Sequence, residues 1–494
     1  MASASGCTRS GRTRWAGNPT FVALGVLSLL VPGLSAAQAG SGPDISSSRP
    51  SILLLSIDTL RADHLGLYGY PRPTDPNLAR ATGSFTLFSS AFTPMPLTVP
   101  AHASMLTGLH PRDLGLLNNH QALAPGHPGA TLAQRLKAAG YRTAAVVGSG
   151  VLAGELTGLR RGFDIYLDPA PGKVATRRTA AEVNALVAPL LEMGEGPLFL
   201  LVHYYDVHEP YDVPDRLACL LRADPALEDV LLQRRLRGVA YSKVLNRRHT
   251  DALRRQGREI SLREMLALYD AAVRLATDQA ARLLEMWDAS RAGPGSLVII
   301  TSDHGEGLGQ HGYWSHGMNL FDETLRVPLL VRWPDAPLAS RRQMGQVSLL
   351  DVAPTVLAAA GLEVSHDLPG RDLAREIASG TGVTRQPLVV QRMRYVPAQR
   401  PPGLRNWRAG DGFAVLDGSL KYIEEEEGPP TLYDRAADPL ERNDLLRRFP
   451  GRRAQLHQFL AAWMARYPDR LIWPPQAVDP ERARILRSLG YIDR

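Results

Sequence analysis

The stretch SLVIITSDHGEG, residues 296–307, decides the fold. Four apolar residues, Leu297 to Ile300, run through Thr301 and Ser302 into an acid, a histidine and a Gly-Glu-Gly turn. A short β-branched apolar run of this kind is a strand buried on both faces. Its polar residues, Asp303 and His304, fall at its C-terminal end. The theme recurs along the chain. SILLLSID (51–58) ends on Asp58, and PLFLLVHYYDVHEPY (197–211) ends in a tail crowded with His and Asp.

Helical patterns separate these runs. TLAQRLKAAGYRTAAVVGSG (131–150) is a helix stopped at Gly140 and followed by another strand. A helix is expected around 178–193, and ISLREMLALYDAAVRLATDQAARLLEMW (260–287) has strong helical periodicity. RVPLLVRWP (326–334) is one more strand and SLLDVAPTVLAAAG (348–361) one more helix, ended by glycine. Strands alternating with helices predict an α/β fold, a mostly parallel sheet covered on both faces. In such sheets ligands bind outside the carboxyl ends of the strands. Separate segments bring His and Asp to that one edge, and this convergence is the main sequence evidence for a site.

The rest of the chain divides by texture. Arg9, Arg12 and Arg14 precede the acid-free run FVALGVLSLLVPGL and then SAAQAG, the pattern of a secretory leader over 1–39 cut after Ala37-Gln38-Ala39. The run is shorter than the ~20 residues a spanning helix needs and contains Pro32 and Gly33. Cleavage, and a secreted or periplasmic location, is therefore favoured over an uncleaved anchor. It would leave Cys219 without Cys7. A Gly/Ser/Pro linker at 40–50 leads into a main domain over 51–374, with an Arg/Leu-rich helical insertion at 215–262. GFAVLDGSLKYIEEEEGPPTLYDR (412–435) predicts hairpins, and a helix is expected near 450–466. These make a smaller α+β lobe over 375–470, with a tail at 471–494. The acidic run 424–427 is expected to be a solvated turn rather than a metal site.

With 494 residues, 44% apolar and 21% charged, the chain can bury a large core. Its +7 net charge is dispersed, with no basic run carrying interleaved aromatics, so nucleic-acid binding is not indicated. A weak preference for anionic substrates is all the charge supports.

Asp58, Asp303 and His304 offer two hard oxygens and a nitrogen at strand ends, a set suited to one divalent cation with open positions. Ca, Mn, Mg and Zn all remain open. His208, His311 and His316 follow strands and add imidazoles that titrate near neutrality.

Six motifs carry a resemblance. IDTLRADHLGLYGY (57–70), PLTVPAHASMLTGLHP (96–111), HYYDVHEPY (203–211), SDHGEGLGQHGYWSHGMNLFDETLRVPLL (302–330), LLDVAPTVLAAAGL (349–362) and LYDRAADPLERNDL (432–445) resemble the ordered motif set of the sulfatase family, within the alkaline-phosphatase superfamily. The resemblance spans about residues 50 to 446. It implies an α/β sandwich around a large mixed sheet with a small C-terminal sheet, a metal site from Asp58, Asp303 and His304, and a nucleophile at Thr98.

The chain departs from the family in places. Sulfatases carry Cys or Ser in a Cys/Ser-x-Pro-x-Arg loop, oxidised to formylglycine; here the positions are Thr98-Val99-Pro100-Ala101-His102. Threonine cannot undergo that conversion. The family's Gly-Lys-x-His is replaced by Gly148-Ser149-Gly150-Val151, and His316 stands where a late Lys is usual. A threonine hydroxyl beside a cation can still attack as an alkoxide, as in related threonine branches of the superfamily.

The roles this implies are Thr98 as nucleophile completing the cation shell, His208 as leaving-group acid, and His102, His311 and His316 as grips on a sulfate or phosphate ester. Ser104 is the alternative nucleophile, disfavoured because it should already lie on the following helix. Three functions stay open: a sulfuric or phosphoric ester hydrolase, a phospho-group transferase acting on envelope glycans or lipids, and an inactive binding protein on the same fold.

Overall fold

A computed structural model describes residues 49–127, 129–169, 177–234, 261–334, 342–379, 383, 386–397, 407–468, 480 and 483–484. The expected leader and most of the linker, the insertion beyond Arg234 up to Glu259 and Ile260, and most of the tail lie outside these residues.

The strands are β1 (Ile52–Ile57), β2 (Thr86–Phe92), β3 (Arg142–Val147), β4 (Ile165–Leu167), β5 (Leu198–Tyr204), β6 (Leu297–Thr301), β7 (Gly307–Leu308), β8 (Trp314–Ser315), β9 (Arg326–Val327), β10 (Leu329–Arg332) and β11 (Arg342–Ser348). A smaller set follows, β12 (Leu388–Tyr395), β13 (Gly410–Asp417), β14 (Leu420–Glu425) and β15 (Thr431–Asp434). The large sheet has the order β11-β2-β10-β6-β1-β5-β3-β4, with β9 beside β2. β1 is parallel to both β5 and β6, and β3 is parallel to β4 and β5.

RVPLLVRWP departs from the single strand expected. It forms β9 and β10, split at Pro328, and β10 runs antiparallel to both β2 and β6. Proline cannot donate to a ladder, so the break falls there. β2 and β11 were not visible as apolar runs, because TLFSSAF and RQMGQVS interleave polar residues.

Period-two alternation explains how one sheet feeds two cores. Leu53, Leu55 and Ile57 of β1 pack on one face, with the helices Ala180–Glu192 and Leu262–Ala289. Ile52 and Leu54 pack on the other, with the helices Thr98–Thr107, Leu132–Ala138 and Val352–Ala359. Burying each such aliphatic side chain contributes about 1.5–3 kcal/mol. The expected helix ends hold: Gly140 takes a left-handed φ of 89° just beyond Leu132–Ala138.

The smaller sheet is antiparallel, β12-β13-β14-β15. One face packs on the helix Pro450–Arg466 through Leu456 and Leu460. The other meets Phe92, Leu320 and Leu325. Lys421 is fully buried here, its ammonium on Glu441 Oε1 at 2.6 Å, Asp322 Oδ1 at 2.5 Å and the Leu320 carbonyl at 3.1 Å. The acidic run is not simply a solvated turn. Glu424 and Glu425 extend β14, and Glu425 pairs with Arg392 at 2.9 Å and Arg408 at 3.3 Å. Strand alternation turned these adjacent acids to different partners. No helix among the described residues is long and apolar enough to cross a membrane.

Candidate active site

Register builds the centre of the site. β1 and β6 pair in parallel with Ser56 opposite Thr301, so two residues further on Asp58 emerges beside Asp303. Both are fully buried, as is His304. One suitable ligand atom from each of these three residues lies within 4.8 Å of the others. Asp303 Oδ1 accepts from the Thr59 and His304 amides at 3.2 and 2.9 Å. Its Oδ2 faces His304 Nε2 at 3.4 Å, and Asp58 Oδ1 faces the same nitrogen at 4.0 Å.

These two oxygens, Asp58 Oδ1 and Asp303 Oδ2, are buried without a hydrogen-bond donor. His304 Nδ1 donates to the Gly305 carbonyl at 2.9 Å, which leaves Nε2 with its lone pair. Two orphaned carboxylate oxygens and one ready imidazole fit a divalent cation, and the mixed O/N set does not select one metal. Burial pushes the Asp58 carboxyl up to about 7, against the pull of His304.

Thr98 is the first residue of the helix Thr98–Thr107, with Leu97 as its N-cap. Pro100 does not delay the helix, because proline is at home in a first turn. Thr98 Oγ1 stands 3.3 Å from His304 Nε2, and its hydroxyl works against the upward shift of the Asp58 carboxyl. Thr98 is therefore in the triangle. Ser104 lies in the same helix, buried among its neighbours.

Four more histidines gather here. His102 Nδ1 donates to the Thr98 carbonyl at 2.8 Å and lies 3.7 Å from Asp303 Oδ2. His208 stacks on Tyr205 with centroids 4.4 Å apart, and its Nδ1 donates to the Glu209 carbonyl at 2.6 Å. His316 meets His304 at 4.3 Å and His208 at 5.0 Å between ring centroids, with Nδ1 on Glu306 Oε1 at 3.3 Å. The fourth, His203, was not singled out in sequence. Its Nε2 donates to Asp58 Oδ2 at 3.3 Å, and its ring packs edge-on against His102 at 5.1 Å. Burial pushes His102, His203 and His316 down to about 4, and His208 well below the usual range. Burial also raises Glu306 to about 8 and Glu209 well above the carboxylate range.

His311 is not brought into this cluster. Its Nδ1 lies 3.0 Å from Glu323 Oε1 and its Nε2 is 3.1 and 3.2 Å from the Leu440 and Glu441 carbonyls. Its ring stacks on Phe321 at 3.6 Å. The intervening β7–β8 hairpin turns His311 and His316 to different places. The glycines of Asp-His-Gly-Glu-Gly are required by close packing of the chain on itself. A Cβ on Gly307 would lie 2.7 Å from the Ser315 carbonyl, and one on Gly305 would strike the Glu323 carbonyl. Both glycines admit the protein's own backbone.

Asn119 was missed as well. Its Oδ1 accepts from the Val99 amide at 2.9 Å, supplying the cap that Leu97 lacks. No pattern in LGLLNNH marks it. In the replaced Gly-Ser-Gly-Val segment, Ser149 accepts from the Val151 amide at 3.3 Å and forms a backbone bridge with Arg177.

The comparisons with known proteins agree with this fold. Residues 50–362 match the family model Sulfatase, so the chain belongs to the sulfatase family. It is 26% identical over 466 residues to the uncharacterized sulfatase YidJ of Escherichia coli, covering 85% of this chain and 88% of that one. It is 25% identical over 456 residues to a choline-sulfatase of Rhizobium meliloti, covering 81% and 83%. Among solved structures, the phosphonate monoester hydrolase of Agrobacterium radiobacter superposes with a TM-score of 0.67 at 21% identity, covering 86% of this chain and 97% of that one. The likeness extends to the whole architecture.

Proposed function

We propose that this sulfatase-family protein hydrolyses sulfuric or phosphoric esters through Thr98, with one divalent cation held by Asp58, Asp303, His304 and the Thr98 hydroxyl. The observation that carries this reading is the 3.3 Å contact between Thr98 Oγ1 and His304 Nε2, beside two orphaned carboxylate oxygens. A bound cation would lower the proton affinity of the hydroxyl and offset negative charge on the ester. The relatives named for choline sulfate and phosphonate esters support the substrate class without deciding between sulfur and phosphorus.

The residues divide the work as follows. Thr98 Oγ, its proton passed to water, attacks sulfur or phosphorus in line with the bond to the leaving alcohol. The new Oγ bond forms as that bond breaks, leaving the acid group esterified to Thr98. Water then cleaves this ester and regenerates the hydroxyl. His208 gives the leaving oxygen its proton. Burial holds its ring neutral in the free site, and an anionic ester beside it favours the protonated form. His316, which faces both His304 and His208, is assigned to the ester's free oxygens. His102 lies at the base of the nucleophile, donating to the Thr98 carbonyl rather than outward. The first turn of the helix adds its positive end to the same anion.

Thr98→Ala should cut turnover of p-nitrophenyl phosphate or sulfate by about 10³ or more with Mn, Ca or Zn added. Phosphate trapped on Thr98 would appear in the mass spectrum of the wild-type protein. Wild-type rates in Thr98→Ala would overturn the assignment.

A further inference from the structure

Arg177 sits on one side of this site with a guanidinium that its own contacts hold lightly. Its backbone bridges Ser149, just past the end of β3. Its Nη1 donates to the Pro210 carbonyl at 2.9 Å, two residues from His208. Its other contacts are with acids: a long 4.0 Å approach to Asp212, whose side chain is 61% exposed, and the nearby charge of Asp206. The exposed Asp212 pair contributes little, and a substrate carboxylate with bidentate geometry can replace it.

The neighbouring arginines differ. Arg61 spends Nε and Nη2 on Asp63 and Nη1 on the Glu306 carbonyl and Gln310. Arg178 is anchored on the Leu167 and Asp168 carbonyls at 2.9 and 2.6 Å.

Sheet order gives the direction. From the cation pocket past β6 and β1, the sequence of strands is β5, followed in the chain by His208, and then β3, followed by Ser149 and its bridge to Arg177. β1 and β3 are two strand spacings apart, roughly 10 Å. The esterified acid group belongs at Thr98, while the leaving alcohol extends toward His208 and onward to Arg177.

We propose that Arg177 recognises a second anionic group on the alcohol part of the ester, so that the substrate is the sulfate or phosphate ester of an acidic alcohol. This rests on the Thr98 and His208 assignments above. The ligand chemistry is a carboxylate, or a second sulfate or phosphate, placed about one sugar or aryl ring from the reacting oxygen.

Calorimetry on the cation-loaded Thr98→Ala protein tests this, with phenyl phosphate and 4-carboxyphenyl phosphate as probes. The carboxylated probe should bind about tenfold or more tightly. Arg177→Ala in that background should erase the difference and leave phenyl phosphate unchanged, and Arg177→Lys should restore part of it. Equal affinities, including no binding of either probe, would overturn the proposal. So would a preference that survives Arg177→Ala, or an equal loss of both probes, which would make Arg177 a support for the His208 segment. Failure of the Thr98 assignment looks different: Thr98→Ala would then consume phenyl phosphate, with heat that does not return to baseline.

Discussion

His203 Nε2 lies 3.3 Å from Asp58 Oδ2, and both side chains are fully buried. One carboxylate oxygen is thus held by an imidazole N–H, while Oδ1 is left to face His304 Nε2. This is how an outer group orients a cation ligand. His203→Ala should weaken Mn or Ca binding by about 10–100-fold, read by competition with a chromogenic chelator. His203→Gln, which keeps an N–H donor, should recover much of the loss. Unchanged affinity in His203→Ala would remove it from the site.

Thr98 and Ser104 share a helix but not a position. Six residues along an α-helix is about 9 Å of rise, so Ser104 cannot reach the same ester. Ser104→Ala should keep turnover within about twofold of wild type, since it removes one hydroxyl without touching the cation residues. Thr98→Ser should keep measurable turnover through its retained hydroxyl. A dead Ser104→Ala with intact folding would reassign the nucleophile.

Much of this site could be read before folding was known because its residues end apolar strands. Asp58, Asp303 and His304 stand where buried runs stop, and parallel register alone brings the two acids together. His203 was hidden for the converse reason. It lies inside β5, a strand buried on both faces, where no alternation of polar and apolar residues shows which side chain points where. Asn119 sits in a loop without periodicity, so its link to Val99 is purely tertiary. His311 and His316 look alike in sequence, and only the turn between β7 and β8 separates their partners. β2 and β11 escaped because polar residues such as Ser89, Gln343 and Gln346 face other elements rather than water. Ser89, for example, is buried and gives its carbonyl to Arg326.

His311 joins the main body to the small lobe. Burial disfavours its charged form, but Glu323 and the carbonyls at 440 and 441 outweigh this, so its pKa is raised. A raised imidazole contributes stability fully below its unfolded value of about 6.5, and loses it as pH rises through the folded value. The wild-type urea midpoint should therefore fall from pH 6 toward pH 8, and His311→Ala should flatten that part of the slope. The variant should lose about 2 kcal/mol at pH 6, because Glu323 is left buried without its partner. Its kcat/KM should stay within about threefold of wild type, since the two ring nitrogens of His311 are turned to Glu323 and to the carbonyls of Leu440 and Glu441. An unaltered pH slope would mean that the pair is not charged.

Gly305 holds His304 in place by what it lacks. Its amide donates to the Thr324 carbonyl at 2.9 Å, and the next amide, of Glu306, donates to the Glu323 carbonyl at 2.9 Å. A Cβ on Gly305 would strike that Glu323 carbonyl and would lie 3.3 Å from Arg61 Cγ. Backbone cannot swing aside as a flexible side chain does, so the loop carrying Asp303 and His304 must lift. Gly305→Ala should cost about 1–3 kcal/mol of stability by overpacking and weaken cation binding more than tenfold by displacing His304. Gly126→Ala is the control, since its added Cβ meets nothing within 4 Å. It should change stability by less than about 0.5 kcal/mol and leave cation affinity alone. Chelator competition and urea titration on the two variants give the comparison. Wild-type cation affinity in Gly305→Ala would mean that the loop yields without moving its ligands.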